Sequence, residues 1–274
     1  MRDYRIHTYT AAEAGLLVNS YIVEAASGLV LIDANLLVSD VTALAARIDA
    51  LKKPLLGVFV THAHPDHFNG LPLLAGDDVP VYAAAPVADA IASIADAKRE
   101  QWKPVYGEEW PGTYRVPSAR LADGEAVRLG GLWFTVHTVG EAESHADSYV
   151  TLGDDAFIGD LAFPGTHPYT ADGHTGRWLD ALSSLPEALA GARLYPGHGA
   201  PGDVGMFADQ RRYLLMYREV VRRLSAGVPR LDEVQKDELT AMMTSFLPDA
   251  PLTWMISLGA DAVAAELANE SVPA

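Results

Sequence analysis

Short apolar runs bounded by turn residues fill the first part of the chain, and apolar positions at helical spacing fill the last. "LLVNSYIVEA" (16–25), "GLVLIDAN" (28–35) and "PLLGVFVTH" (54–62) read as strands feeding a sheet, with a helix over 38–52 between the second and third. A small helix near 70–75, a strand at "VPVYAAA" and a helix over 86–102 follow, with Pro86 in the first turn, where a missing N–H costs nothing. The stretch "WKPVYGEEWPGTYRVPS" (102–118) reads as a linker rich in proline, glycine and aromatics. A second strand set comes next: 126–129, "LWFTVHTV", "DSYVTLG" and "DAFIGD". After "ARLYPGHG" the pattern turns helical over 203–225, 231–246 and 261–269. No internal repeat and no low-complexity tract interrupts it. The alternation predicts an α/β protein of two strand-rich halves, organised as a domain over 1–205 and a C-terminal helical extension over 206–274.

Composition narrows the function classes. The 274 residues, 49% of them hydrophobic, can bury a sizeable core. A net charge of −16 sets the surface against phosphate backbones and anionic lipid, so neither nucleic acid nor membrane is an expected partner. Cysteine is absent, which excludes disulfides, thiolate ligands and a cysteine nucleophile and suits a reducing compartment. No segment reaches the roughly 18 apolar residues of a membrane span, and the N-terminus does not read as a signal peptide. The expectation is a cytoplasmic protein acting on a small molecule, with homo-oligomer formation open.

The chemistry concentrates at "VFVTHAHPDHFNG" (58–70), where His62, His64, Asp66 and His67 stand within six positions behind an apolar strand. In an extended or turning segment past a strand end, residues two apart project to the same side. His62 and His64 can therefore address one point while Asp66 and His67 turn toward a neighbouring one. Imidazole and carboxylate suit zinc, and also iron or manganese. His7 and His137 lie inside strand patterns and read as structural.

"THAHPDH" resembles the H-x-H-x-D-H signature of the metallo-β-lactamase superfamily of metallohydrolases. Further along, His145 in "GEAESHADS", Asp160 in "FIGDLAF" and His198 in "YPGHGAP" follow in that family's order, and "NSYIVEAASGLVLIDAN" is similar to its paired N-terminal strands. The resemblance covers roughly residues 4–205. Two departures stand out. Asn35 takes the place of a usual glycine after the "I-D-x" strand end, and asparagine tolerates left-handed backbone. The family's compact T-P-G-H is spread here into "TVGEAESHADS", where His145 is the matching residue and Glu141 or Glu143 could replace it.

The resemblance implies an αββα four-layer sandwich with two divalent metal ions, zinc first among them, where strand-end loops converge. His62, His64 and His145 would bind one ion, Asp66, His67 and His198 the other, and Asp160 would bridge them. It further implies a hydroxide nucleophile made from shared water, with Asp66 as the catalytic group that protonates the leaving atom. Esters, lactones or related acyl compounds are the expected substrates. The alternatives are a mononuclear-iron persulfide dioxygenase and a thioester hydrolase of the glyoxalase II type. The basic run "RRYLLMYREVVRR" that a glutathione pocket would use reads instead as a solvated helix face, with Tyr213, Leu214 and Tyr217 inward. For substrate contact the candidates are His167, Tyr169 and His174 in the loop "FPGTHPYTADGHTGRW", together with Trp102, Tyr106 and Trp110 in the aromatic linker.

Overall fold

The computed structural model describes residues 3–270, and its internal contacts divide the chain into two compact units. The first comprises Met1–Gly140 and Ala146–Gly159. It opens with an antiparallel hairpin of β1 (Arg5–Thr10) and β2 (Asn19–Glu24), continued by β3 (Leu29–Ile32). Helix α1 (Val38–Ala50) crosses over to β4 (Leu55–Val60), which pairs parallel to β3. The short α2 (Pro65–Phe68) and α3 (Leu71–Leu74) lead to β5 (Val81–Ala84), and α4 (Ala85–Tyr106) leads to β6 (Ala119–Leu121). These strands make one sheet in the order β1-β2-β3-β4-β5-β6. A second sheet begins with β7 (Ala126–Leu129), β8 (Leu132–Gly140), β9 (Asp147–Leu152) and β10 (Asp155–Gly159), antiparallel neighbours in that order.

The sheets face each other through aromatic side chains. Phe59 of β4 stacks on Phe134 of β8 at 5.4 Å, and Tyr21 of β2 meets Phe157 of β10 at 5.5 Å. Every residue of β3 is buried, as an unbroken apolar run in a strand covered on both faces requires.

The linker expected over 102–118 is helical in its first five residues, because α4 runs on through Pro104 to Tyr106. A proline this close to a helix end removes one hydrogen bond without interrupting a long ladder. Asn35 adopts φ 65°, as the glycine-like position demands, and Asp33 two residues earlier has φ 60°.

The second unit comprises Glu141–His145 and Asp160–Ala274. It holds α5 (Thr175–Ala188), whose first turn takes up the end of the loop expected over 163–178, then β11 (Arg193–Pro196), α6 (Gly205–Ser225), α7 (Glu233–Phe246), α8 (Trp254–Leu258) and α9 (Ala260–Glu270). The core of the last four helices contains Tyr213, Tyr217 and Val221 of α6, Leu239 and Met243 of α7, Ile256 of α8 and Val263 and Leu267 of α9. Arg218 is an exception to the solvated basic face: it is buried and ion-paired with Glu266 at 3.1 Å and Glu270 at 2.7 Å. Among the described residues no helix is long and apolar enough to cross a membrane.

One close approach fixes the segment that follows β4. The Ala34 N–H donates to the His67 carbonyl at 2.8 Å and the Gly70 N–H to the Asn35 carbonyl at 3.0 Å, so the turns after β3 and β4 are stitched together. A methyl group on Gly70 would collide with the Ala34 carbonyl oxygen, which is backbone and cannot yield cheaply. Gly70→Ala is expected to cost about 2 kcal/mol or more in urea unfolding. Gly112→Ala, where no atom lies within 4 Å, should stay within about 0.5 kcal/mol.

Candidate metal centre

His62 stands just past β4, where it forms an isolated antiparallel bridge with Asp147. His64 has extended backbone (φ −95°, ψ 143°) and caps α2, whose first residue is Pro65, so Asp66 and His67 fall in a single helical turn. This geometry packs the rings together: His62 and His64 are edge-on at 5.0 Å and His62 and His67 tilted at 4.0 Å.

Behind the rings lies a hydrogen-bond chain that fixes their tautomers. The buried Asp33 carboxylate accepts from the Thr61 N–H at 2.9 Å, the Thr61 hydroxyl at 2.9 Å and His67 Nδ1 at 2.8 Å. The single Thr61 hydroxyl proton is committed to Asp33, so at the 3.1 Å contact with His62 Nδ1 the ring nitrogen is the donor. Both His62 and His67 therefore carry their proton on Nδ1 and the lone pair on Nε2, the arrangement in which an outer carboxylate orients a metal-binding imidazole. Asp33 was not singled out in the sequence. Its signal was an aspartate at the end of an otherwise apolar strand.

Asp160 follows β10 directly and lies 3.3 Å from His198 Nε2, both side chains being buried. His198 sits in the turn after β11. Gly199 beside it takes φ 85° and approaches the Pro164 carbonyl so closely that a side chain has no room. Phe163 lies flat on the His198 ring at 5.0 Å and 12°.

Two sets of side chains have ligand atoms that all lie within 4.8 Å of one another: Asp66, His67, Asp160 and His198 form one, and His62, His64 and Glu143 the other. All seven are buried. Glu143 is 2% exposed, whereas the His145 side chain is 50% exposed. His145 meets its neighbours elsewhere: its Nδ1 is 2.7 Å from His174 Nε2 and its Nε2 is 3.8 Å from Asp172.

The substrate-contact candidates separate by burial. His167 is fully buried, its Nδ1 2.8 Å from the Tyr213 hydroxyl, and burial holds its pKa below the usual histidine value. That makes it a neutral ring of the helical core rather than part of a substrate-facing wall. Tyr169 is half-buried and donates its hydroxyl to Asp172 at 3.2 Å, the same carboxylate that faces His145. Trp102 and Tyr106 belong to α4 and form a row with Trp110, at centroid separations of 6.2 and 6.1 Å, packed with Leu16, Leu36 and Leu37. Burial, and secondarily the negative charge of Asp66, push the Tyr106 phenol pKa up.

The model of the metallo-β-lactamase superfamily matches residues 14–198. No curated protein matches the chain. Among solved structures, a metallo-β-lactamase from Pontibacter korlensis is similar at 23% identity, with 78% of this chain and 96% of that chain covered and a TM-score of 0.62. The DIM-1 metallo-β-lactamase exposed to ceftazidime is similar at 19% identity, over 79% and 94% of the two chains, with a TM-score of 0.61. At these identities the likeness is one of fold, and it agrees with the αββα sandwich and C-terminal helices expected from the sequence. With two thirds of its length matched by the family model and its buried histidines and carboxylates gathered at strand ends, the chain belongs to the metallo-β-lactamase superfamily.

Proposed function

We propose that the protein is a dinuclear hydrolase, with zinc as its metal, that cleaves an ester, lactone or related acyl bond of a small molecule. The observation that carries this reading is the pair of buried donor sets. Their chemistry fits divalent cations: imidazoles and carboxylates, with the His62 and His67 tautomers fixed by Thr61 and Asp33. His62, His64 and Glu143 would hold one cation, and Asp66, His67, Asp160 and His198 the other. When bound, such a pair lowers the pKa of a water from about 15.7 toward 7 and polarises an acyl oxygen.

The chain's own residues supply the rest. Asp66 is the carboxylate proposed to pass a proton to the leaving atom. Trp102 and Tyr106, the partly buried members of the aromatic row, offer an apolar face for an acyl or aryl group, whereas Trp110 is buried in the core with Leu36 and Leu37. Tyr169 would turn its single phenolic proton from Asp172 to the substrate carbonyl as negative charge develops there. Four of the five arginines of α6 are already ion-paired, which weighs against a glutathione carrier. Arg218 is neutralised by Glu266 and Glu270, and Arg212, Arg222 and Arg223 each face a carboxylate.

The deciding experiment is metal analysis of purified protein followed by turnover of a panel of lactones, aryl esters, thioesters, phosphodiesters and β-lactams. Two metals with ester or lactone turnover would support the proposal; one iron with oxygen consumption would replace it by the dioxygenase. Glu143→Ala is expected to lose one of two metals by mass spectrometry while His145→Ala keeps both, and the reverse result would return His145 to the ligand set. Tyr169→Phe should retain metal and fold but lower kcat on the best ester or lactone at least about tenfold, or roughly 1.4 kcal/mol. Steady-state kinetics on metal-loaded protein checks this, and unchanged kcat and KM would leave Tyr169 a structural residue.

A further inference from the structure

We infer that Gln210, on α6, is a positioning residue for His198, acting through Phe163. The inference rests on the proposed metal-binding role of His198 and concerns how that ring is held. The loop that leaves Asp160 is pinned at two backbone points by helices that follow it in sequence. The Leu161 carbonyl accepts from Trp178 Nε1 of α5 at 3.1 Å, and the Phe163 N–H donates to Gln210 Oε1 at 3.0 Å. Phe163 is 4% exposed and fixed on two sides, parallel to His198 at 5.0 Å and edge-on to Trp178 at 6.0 Å. The next residue, Pro164, sets its carbonyl against Gly199, so the same loop also meets the backbone of the turn that carries His198.

The hydrogen bond has a definite direction. A backbone N–H can only donate, so the Gln210 amide must turn its oxygen to Phe163, and its Nε2 finds no hydrogen-bond partner among the described residues. A buried glutamine that leaves a donor unmatched is kept for its acceptor. What that acceptor holds is the residue whose ring sets the plane of the His198 imidazole. Phe163 thus presents a flat face to the His198 ring, whose Nε2 is 3.3 Å from Asp160. None of the three residues in this line, Gln210, Phe163 and His198, is near another in sequence except through the fold. A ligand's outer contacts commonly tune metal affinity by 10–100-fold.

The test is zinc titration of chelator-stripped protein against a competing chromophoric chelator, with two affinity classes expected in the wild type. Gln210→Leu keeps the size but loses the acceptor, and it should weaken one class by about 10–100-fold while sparing the other. Gln210→Glu should restore wild-type affinity within about threefold, because a carboxyl this buried keeps its proton and still presents a carbonyl oxygen to Phe163. Phe163→Leu removes the stacking face but keeps the N–H, and should weaken the same class. The inference fails if Gln210→Leu binds zinc in both classes as the wild type does. If Gln210→Leu does not fold, unchanged affinities in Phe163→Leu overturn it instead. Wild-type protein that binds no zinc would overturn the metal reading itself, a result visible before any variant is compared.

Discussion

A single buried carboxylate organises the first motif. Asp33 directly follows β3 with φ 60° and spends its acceptor capacity on Thr61, which directly follows the neighbouring β4, and on one of the histidines beyond it. Two of those bonds, from the Thr61 hydroxyl and from His67 Nδ1, decide which nitrogen of His62 and of His67 is left available to a cation. Without that anchor the H-x-H-x-D-H segment would be four ligands on a turn with free ring rotation. With it, two of the three rings are committed before any ion arrives. The parallel pairing of β3 and β4 is what makes the anchor possible, because it ends both strands side by side.

Much of this was legible in the sequence, for a physical reason in each case. The strands of the first unit were readable because their apolar runs are short, β-branched and cut by turn residues, and His62, His64, Asp66 and His67 because their density has few other uses. Asn35 could be placed in the left-handed region because the resemblance puts a glycine there and asparagine tolerates that backbone, and its φ is 65°. What was not legible depends on contacts distant in sequence. Nothing local distinguishes Glu143 from His145: both follow the same strand, two residues apart, and only burial separates them. Helix α5 did have a local signal, Trp178, Leu182 and Leu185 at i, i+4 and i+7, all buried. It was obscured by the Pro164-Gly165 and Asp172-Gly173 turns before it, which extended the loop reading past its true end.

The aromatic stretch after α4 shows the opposite case, in which a composition read as a linker folds as a helix end. Trp102 and Tyr106 are four residues apart and so share one face of α4, and Gly107 closes the helix with φ 56°, its N–H reaching the Lys103 carbonyl. Trp110 then joins the row from the one-turn 3-10 helix that follows. Proline at 104 was a reason to stop the helix early, yet the apolar pair that straddles it is held by packing against Leu36 and Leu37 beyond α1's start. Tertiary burial outweighs a local breaker when the breaker sits in the last turn.

The C-terminal helices hold the loop after Asp160 as well as one another. The Glu266 carboxylate on α9 accepts from the Thr175 and Gly176 N–H groups, the open donors at the N-terminus of α5, where a negative charge also suits the helix dipole. Arg218 joins this arrangement by donating to the Thr175 hydroxyl at 2.6 Å while paired with Glu266 and Glu270. His174, the residue that bonds His145, stands immediately before Thr175. Its backbone is thus fixed by charges on α6 and α9 rather than by its own loop. A buried ion pair of this kind adds little net stability, since desolvation offsets most of the attraction, but it permits few alternative arrangements of the groups it joins. Such a network anchors the C-terminal end of the loop, where Asp172 and His174 stand shortly after Tyr169.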